Sequence, residues 1–222
     1  GGRGSRMWCS DGRSVSLFLA ECGNARMNLW AGLGDTVLIS VASVLLGTFL
    51  GVFVGLAMTY GKKPTRFGVR VYIDFLRGTP VFVLILACFY ILSVVGLDLS
   101  AFQAGVLALT MFCSSHVGEI VRGALKAIPA GQTEAAKSIG LTFGQTFAYV
   151  LLPQALRQIL PTWVNTATEI VKASTLLSII GVVELLLATQ QVISRTYLSL
   201  EFYLFVGFVY FILNFLIEQA GR

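Results

Sequence analysis

Residues 36–60, TVLISVASVLLGTFLGVFVGLAMTY, contain no charged side chain. A helix of about 25 residues, rising ~1.5 Å per residue, outreaches the ~30 Å hydrocarbon core of a bilayer, so this stretch reads as a membrane span. Helix is required there because no water is present to take up free backbone N–H and C=O groups. Gly47, Gly51 and Gly55 recur at four-residue spacing and share one face. Two readings stand side by side: a smooth face that admits a neighbouring helix, or the general abundance of glycine in membrane helices.

The rest of the chain agrees with a lipid setting. Hydrophobic residues make up 56% of the 222 positions and charged residues 12%, with a mean hydropathy of +0.81, far from the balance of an ordinary soluble domain. Such a length suits one compact membrane domain and leaves no polar sequence for a catalytic one. The net charge of +5 does not point to nucleic acid, because the basic residues cluster in short segments beside apolar runs, where they set membrane orientation. Cys9, Cys22, Cys88 and Cys113 lack metal-ligand spacing, and the last two lie in apolar runs as small hydrophobes.

Working outward from the first span, the segment Gly61 to Arg77 carries Lys62, Lys63, Arg66, Arg70 and Arg77 against Asp74 alone. The positive-inside rule makes it a cytoplasmic loop and puts the N-terminus outside. Further spans are expected over Val81–Leu97, Ala101–Val121, Pro161–Ile180 and Phe202–Ile217, the fourth opening on a proline that suits a first helical turn. The link from Gln190 to Ser199 then lies outside and the C-terminus inside. The expectation is an all-α domain of five transmembrane helices over residues 29–222. Residues 1–28 read as a tail, disordered or arising from a misplaced start, with Met27 the native start. Val15–Ala20 is too short for the apolar core of about 7–15 residues of a signal peptide, and the end at Arg222 so soon after a span suggests a short missing tail.

The segment between the third and fourth spans holds Glu134-Ala135-Ala136, then Gly140, then Leu152-Pro153. Ala135 and Ala136 favour helix, Gly140 breaks it, and Leu141–Val150 can form a second short helix at an angle. The result is a compact knob suited to a groove in a partner, with Glu134 free to meet a basic group. Glu119-Ile-Val-Arg122-Gly-Ala precedes it, followed by Ile128-Pro-Ala-Gly-Gln132; Leu152-Pro-Gln-Ala-Leu-Arg157 comes after, with Pro161 and Asn165 beyond, and Arg77-Gly78-Thr79-Pro80 stands before span two. In order and spacing these motifs resemble the polar amino-acid permease branch of the binding-protein-dependent importers of the ATP-binding cassette class, with a MetI-like fold and an EAA loop, over roughly Gly32 to Arg222.

That resemblance implies a permease subunit of an importer in the bacterial inner membrane that is not itself an enzyme. Its partners would be a cytoplasmic ATPase dimer, a second permease copy or paralogue, an extracytoplasmic substrate-binding protein, and membrane lipid. Glu134, Ala135, Ala136, Gly140, Leu152 and Pro153 would couple to the ATPase, and the binding protein would meet the outer face near Val182-Val183-Glu184-Leu185. The chain has no GxxxxGK[ST] loop to cradle phosphates, so ATP and Mg would belong to the partner ATPase and this chain would hold no cofactor. HExxH, GxSxG and spaced carboxylate pairs are likewise missing from the sequence.

Charges inside the spans complete the candidate set. Glu119 and Arg122 lie one turn apart and read first as an intrahelical bridge. Glu169 and Lys172 share that spacing in span four, where each costs about 2.5–3.5 kcal/mol at mid-bilayer. They therefore call for a watery or protein-lined setting and, with Asn165 and His116, are the substrate-pathway candidates. Arg77, Gly78, Thr79 and Pro80 mark a backbone bend that serves either as a gate or as a helix boundary. Against the family pattern, Lys172-Ala173-Ser174-Thr175-Leu176 stands where Lys-Asp-Thr-Ser-Leu is usual, and His116 where tyrosine is frequent. Either departure bears on substrate preference, although His116 also reads as a hydrogen-bonded structural side chain. The rival reading is an ion-gradient-driven carrier or channel acting alone, which would often show internal repeats.

Overall fold

The computed structural model describes the backbone of residues 5–221 and side chains from residue 16 to residue 221. Arg3 and Arg222 lie outside the described residues, as do the side chains of Arg6, Cys9 and Arg13.

The described chain is built of helices. Helix α1 spans Ser5–Tyr60, and its part from Ser16 to Tyr60 is 45 residues long and strongly apolar. At ~1.5 Å per residue that part alone is roughly twice the bilayer core, so a segment of α1 stands clear of the hydrocarbon. The helix passes residue 28 without a break, so from Ser5 onward the expected disordered tail is instead helix. Phe18 packs edge-on against Phe202 with ring centroids 4.9 Å apart, and Leu29 is buried with Leu185, Ala188 and Val206.

Helix α2, Lys63–Gly78, replaces the expected loop. Pro64 suits its first turn, Ile73 and Leu76 are buried, and the Tyr72 hydroxyl pairs with Ser114 Oγ at 2.7 Å. After Gly78 the chain turns by 109° into α3, Val81–Val94, whose middle, Ala87–Ile91, is a π-helical turn. Helix α4, Ala101–Ala127, begins with a capping box between Ser100 and Gln103 and runs past its expected end at Val121. Ser100 Oγ and the Gln103 side chain each satisfy a backbone N–H that the first turn leaves free.

The seam between α1 and α4 decides the glycine question. A Cβ at Gly47, Gly51 or Gly55 would lie 2.5, 2.6 and 2.6 Å from the Cβ atoms of Cys113, Val117 and Val121. Both helices present the same four-residue repeat, so each glycine receives one side chain of α4 and the backbones approach closely.

Beyond α4 come α5, Ala130–Ser138, and α6, Phe143–Ile180. The latter is one path with a π-helical turn at Phe147–Leu151 and a 3₁₀ ending at Ser174–Ile180. Leu141–Val150 is therefore not a separate short helix, and Pro161 sits inside α6 rather than at its start. Helix α7, Leu185–Thr196, follows at 51° and occupies much of the expected outer link. Helix α8, Ser199–Ala220, closes the described chain. Of these, α1, α4 and α8 are individually long and apolar enough to cross a membrane, while α2–α3 and α6–α7 meet that test as bent pairs. The expected five spans thus correspond to three continuous helices and two broken ones.

Candidate coupling knob and translocation face

The knob consists of α5, a glycine turn and the first turns of α6. Gly140 has φ +83°, a left-handed conformation that glycine adopts without steric cost. The turn closes through Gly140 N–H donating to the Lys137 carbonyl at 2.9 Å and Leu141 N–H to the Ala136 carbonyl at 3.1 Å. Helix α6 then opens on a capping box between Thr142 and Gln145. Ala136 is buried whereas Glu134, Ala135, Leu152 and Pro153 are exposed. Three apolar side chains of the same segment are exposed, Ile139 at 78%, Phe143 at 62% and Tyr149 at 74%, as is Glu134. An exposed carboxylate and exposed apolar side chains on one short segment are what a groove-filling knob requires.

The knob is tied to the spans by specific contacts. Gln154 Nε2 donates to Gln132 Oε1 at 3.3 Å across α5 and α6. Tyr60, the last residue of α1, meets the ring of Phe143 edge-on at 5.3 Å. Further along, Trp163 Nε1 donates to Thr48 Oγ1 at 2.8 Å, joining α6 to α1.

Asn165, Glu169 and Lys172 follow one another at helical spacing on α6, and all three are exposed. The flanking Val164, Thr168 and Val171 are buried, so the polar face is the one α6 turns away from its own chain. No ion pair joins Glu169 to Lys172; among the described residues the pairs are Arg70–Asp74 and Glu119–Arg122. Because α6 begins at Phe143, depth cannot be counted from Pro161, and Lys172 lies where α-helix gives way to 3₁₀.

His116 lies on α4, not on α6. It is half-buried, its Nδ1 lies 3.0 Å from the Phe112 carbonyl, and its ring packs on Phe112 at 4.4 Å. A carbonyl only accepts, so Nδ1 carries the proton. Glu119 and Arg122 form a two-point ion pair, with Arg122 Nε donating to Oε2 at 2.9 Å. At the Arg77–Pro80 corner, Thr79 Oγ1 donates back to the Phe75 carbonyl at 2.8 Å. Gly78 ends α2, and Pro80 precedes the first turn of α3.

One constellation was missed from sequence. Glu184 is fully buried and caps α7, its carboxylate accepting from Leu186 N at 2.8 Å and Leu187 N at 2.9 Å. The Tyr210 hydroxyl donates to the same carboxylate at 2.7 Å, and Leu185 N donates to Thr36 Oγ1 at 3.1 Å. This polar knot binds α1, α7 and α8. Val182 and Leu185 are buried too, leaving Val183 as the exposed member of that quartet, which is therefore not the open docking patch expected. The signal available was a glutamate just before Leu185-Leu186-Leu187 and three positions after a turn glycine, Gly181.

Residues 47–221 match the family described as binding-protein-dependent transport system inner membrane component, and the chain belongs to that family. It is a membrane-spanning permease subunit and not itself an enzyme, and the resemblance to amino-acid permeases is borne out by its relatives. The glutamine transport system permease protein GlnP of Escherichia coli is 32% identical over 204 residues, 89% of this chain and 90% of that one. The arginine transport system permease protein ArtQ of Bacillus subtilis is 31% identical over 192 residues, covering 86% and 88%. Among solved structures, an amino acid ABC transporter superposes with TM-score 0.82 at 32% identity, over 88% of this chain and 92% of the other. The methionine ABC transporter MetNI, at TM-score 0.73 and 24% identity, shares the fold.

Proposed function

We propose that this chain imports a polar amino acid or a related solute as one half of a permease pair, with a second copy or a paralogue as the other half. A cytoplasmic ATPase dimer, holding ATP and Mg, drives it through the knob, and an extracytoplasmic binding protein supplies the solute. The knob faces the cytoplasm, with the N-terminus outside and the C-terminus inside. The single observation that carries this reading is that α6 bears both devices. Phe143, at the knob, and Lys172, on the polar face, sit on the same helix, roughly 40 Å apart at 1.5 Å per residue. A push on the knob therefore reaches the charged face along one helical path, by way of the π-helical turn at Phe147–Leu151. Asn165, Glu169 and Lys172 would line the pathway where the two permeases meet, since charges at bilayer depth need protein or water around them.

Co-expression with ATPase subunits and reconstitution into liposomes tests the reading. ATP hydrolysis stimulated by a cognate amino acid and its binding protein is the expected result. Uptake by the permease without an ATPase, driven by an ion gradient, would establish the carrier reading instead.

A further inference from the structure

Beside the knob the structure assigns a second site, which we propose binds the phosphate of an anionic lipid headgroup in the leaflet on the knob side. A cavity of about 170 Å³ opens between the ends of three helices and is lined by Met58 of α1, Arg66, Phe67 and Arg70 of α2, and Arg122 and Lys126 of α4. Four cationic side chains therefore converge on it. Two have carboxylate partners, Arg70 with Asp74 at 3.5 Å and Arg122 with Glu119. Arg66 and Lys126 have no ion pair among the described residues. The cavity thus keeps an excess of positive charge and has room for a phosphate group.

The helices that carry the cations are fixed, while Arg66, Arg70 and Lys126 are themselves exposed to a ligand. Helix α2 is fixed by buried Ile73 and Leu76 and by the Tyr72–Ser114 hydrogen bond to α4, while the Glu119 bridge restrains Arg122. On its outer side α2 presents Phe67, Val71 and Phe75 at four-residue spacing, 73%, 53% and 64% exposed. An apolar row next to a basic cavity matches a ligand with acyl chains beneath a phosphate, and fits less well an acidic loop of a soluble partner. The level is right as well, because Tyr60, two residues beyond Met58, touches the knob at Phe143.

Native mass spectrometry of the full chain in detergent, titrated with phosphatidylglycerol or phosphatidylcholine of identical acyl chains, tests this. Phosphatidylglycerol should bind preferentially. Arg66→Gln with Lys126→Gln should weaken it by about 10- to 30-fold, the loss expected for two basic groups at an anionic surface. The charge-keeping swap Arg66→Lys with Lys126→Arg should retain the preference, as should Lys62→Gln with Lys63→Gln, which removes two charges outside the cavity. Equal binding of both lipids, loss of the preference in the charge-keeping swap, or equal loss in the Lys62/Lys63 variant overturns the site. Displacement of bound phosphatidylglycerol by excess inorganic phosphate would assign the cavity to a free anion. Its release on adding the ATPase subunits would assign it to the protein partner.

Discussion

At the residue scale, Lys172 and Glu184 are charged groups in opposite situations. Lys172 is exposed and has no carboxylate partner among the described residues, so its value lies in what passes or packs against it. Lys172→Met, which keeps the apolar stem, should lower amino-acid uptake into proteoliposomes at least tenfold, an effect of about 1.4 kcal/mol, while the permease still co-purifies with its ATPase. Because no bridge to Glu169 exists to be relieved, adding Glu169→Gln should not restore uptake; full recovery would reduce Lys172 to a structural partner. Glu184 is the reverse case, with its carboxylate engaged by two backbone N–H groups and the Tyr210 hydroxyl. Glu184→Leu strands those donors at about 1–3 kcal/mol each. The detergent-solubilised variant should unfold at a clearly lower temperature, and Glu184→Gln, which keeps one acceptor, should fall in between. An unchanged midpoint for the leucine variant would mean that water or lipid reaches the knot.

At the scale of elements, the knob and α6 are proposed to act as one lever. Gly140→Leu places a bulky L side chain at φ +83°, a conformation that costs roughly 1–2 kcal/mol for a non-glycine residue. Glu134→Lys reverses the charge on the exposed surface. Either variant should reach the membrane in normal amounts yet lose the tie between hydrolysis and transport, measured as ATP turned over per amino acid accumulated. Normal ratios in both would remove the knob from the coupling path. The lever's far reach depends on a feature hidden from sequence. Gly140 announces the bend, but Pro161 suggests a helix start where the structure continues straight through. Pro161 lies on an exposed stretch of α6, and the helix continues through it although proline supplies no backbone donor.

For the whole molecule, the orientation inferred from Lys62, Lys63, Arg66, Arg70 and Arg77 predicts which faces an impermeant thiol reagent reaches. In a background without the native cysteines, Ser100→Cys should label from outside in intact cells, while Lys63→Cys and Ala130→Cys stay protected until the membrane is opened. Fast outside labelling at residue 130 would invert the topology and detach the knob from a cytoplasmic motor. Composition and run lengths alone determined that the chain is helical and crosses a membrane, because a bilayer leaves the backbone so few options and a charge-free run of fixed length has one use there. The motif around Glu134 to Pro153 likewise made the bend at Gly140 legible, since its glycine and alanines act through local backbone preference. Only the tertiary structure decided between the two meanings of Gly47, Gly51 and Gly55, because a glycine face becomes a seam when Cys113, Val117 and Val121 fill it. The same is true of Glu184 and of the basic cavity. Thr36, Glu184 and Tyr210 are far apart along the chain, as are Arg66 and Lys126, and the energy of a hydrogen bond or a shared field depends on distances that packing sets.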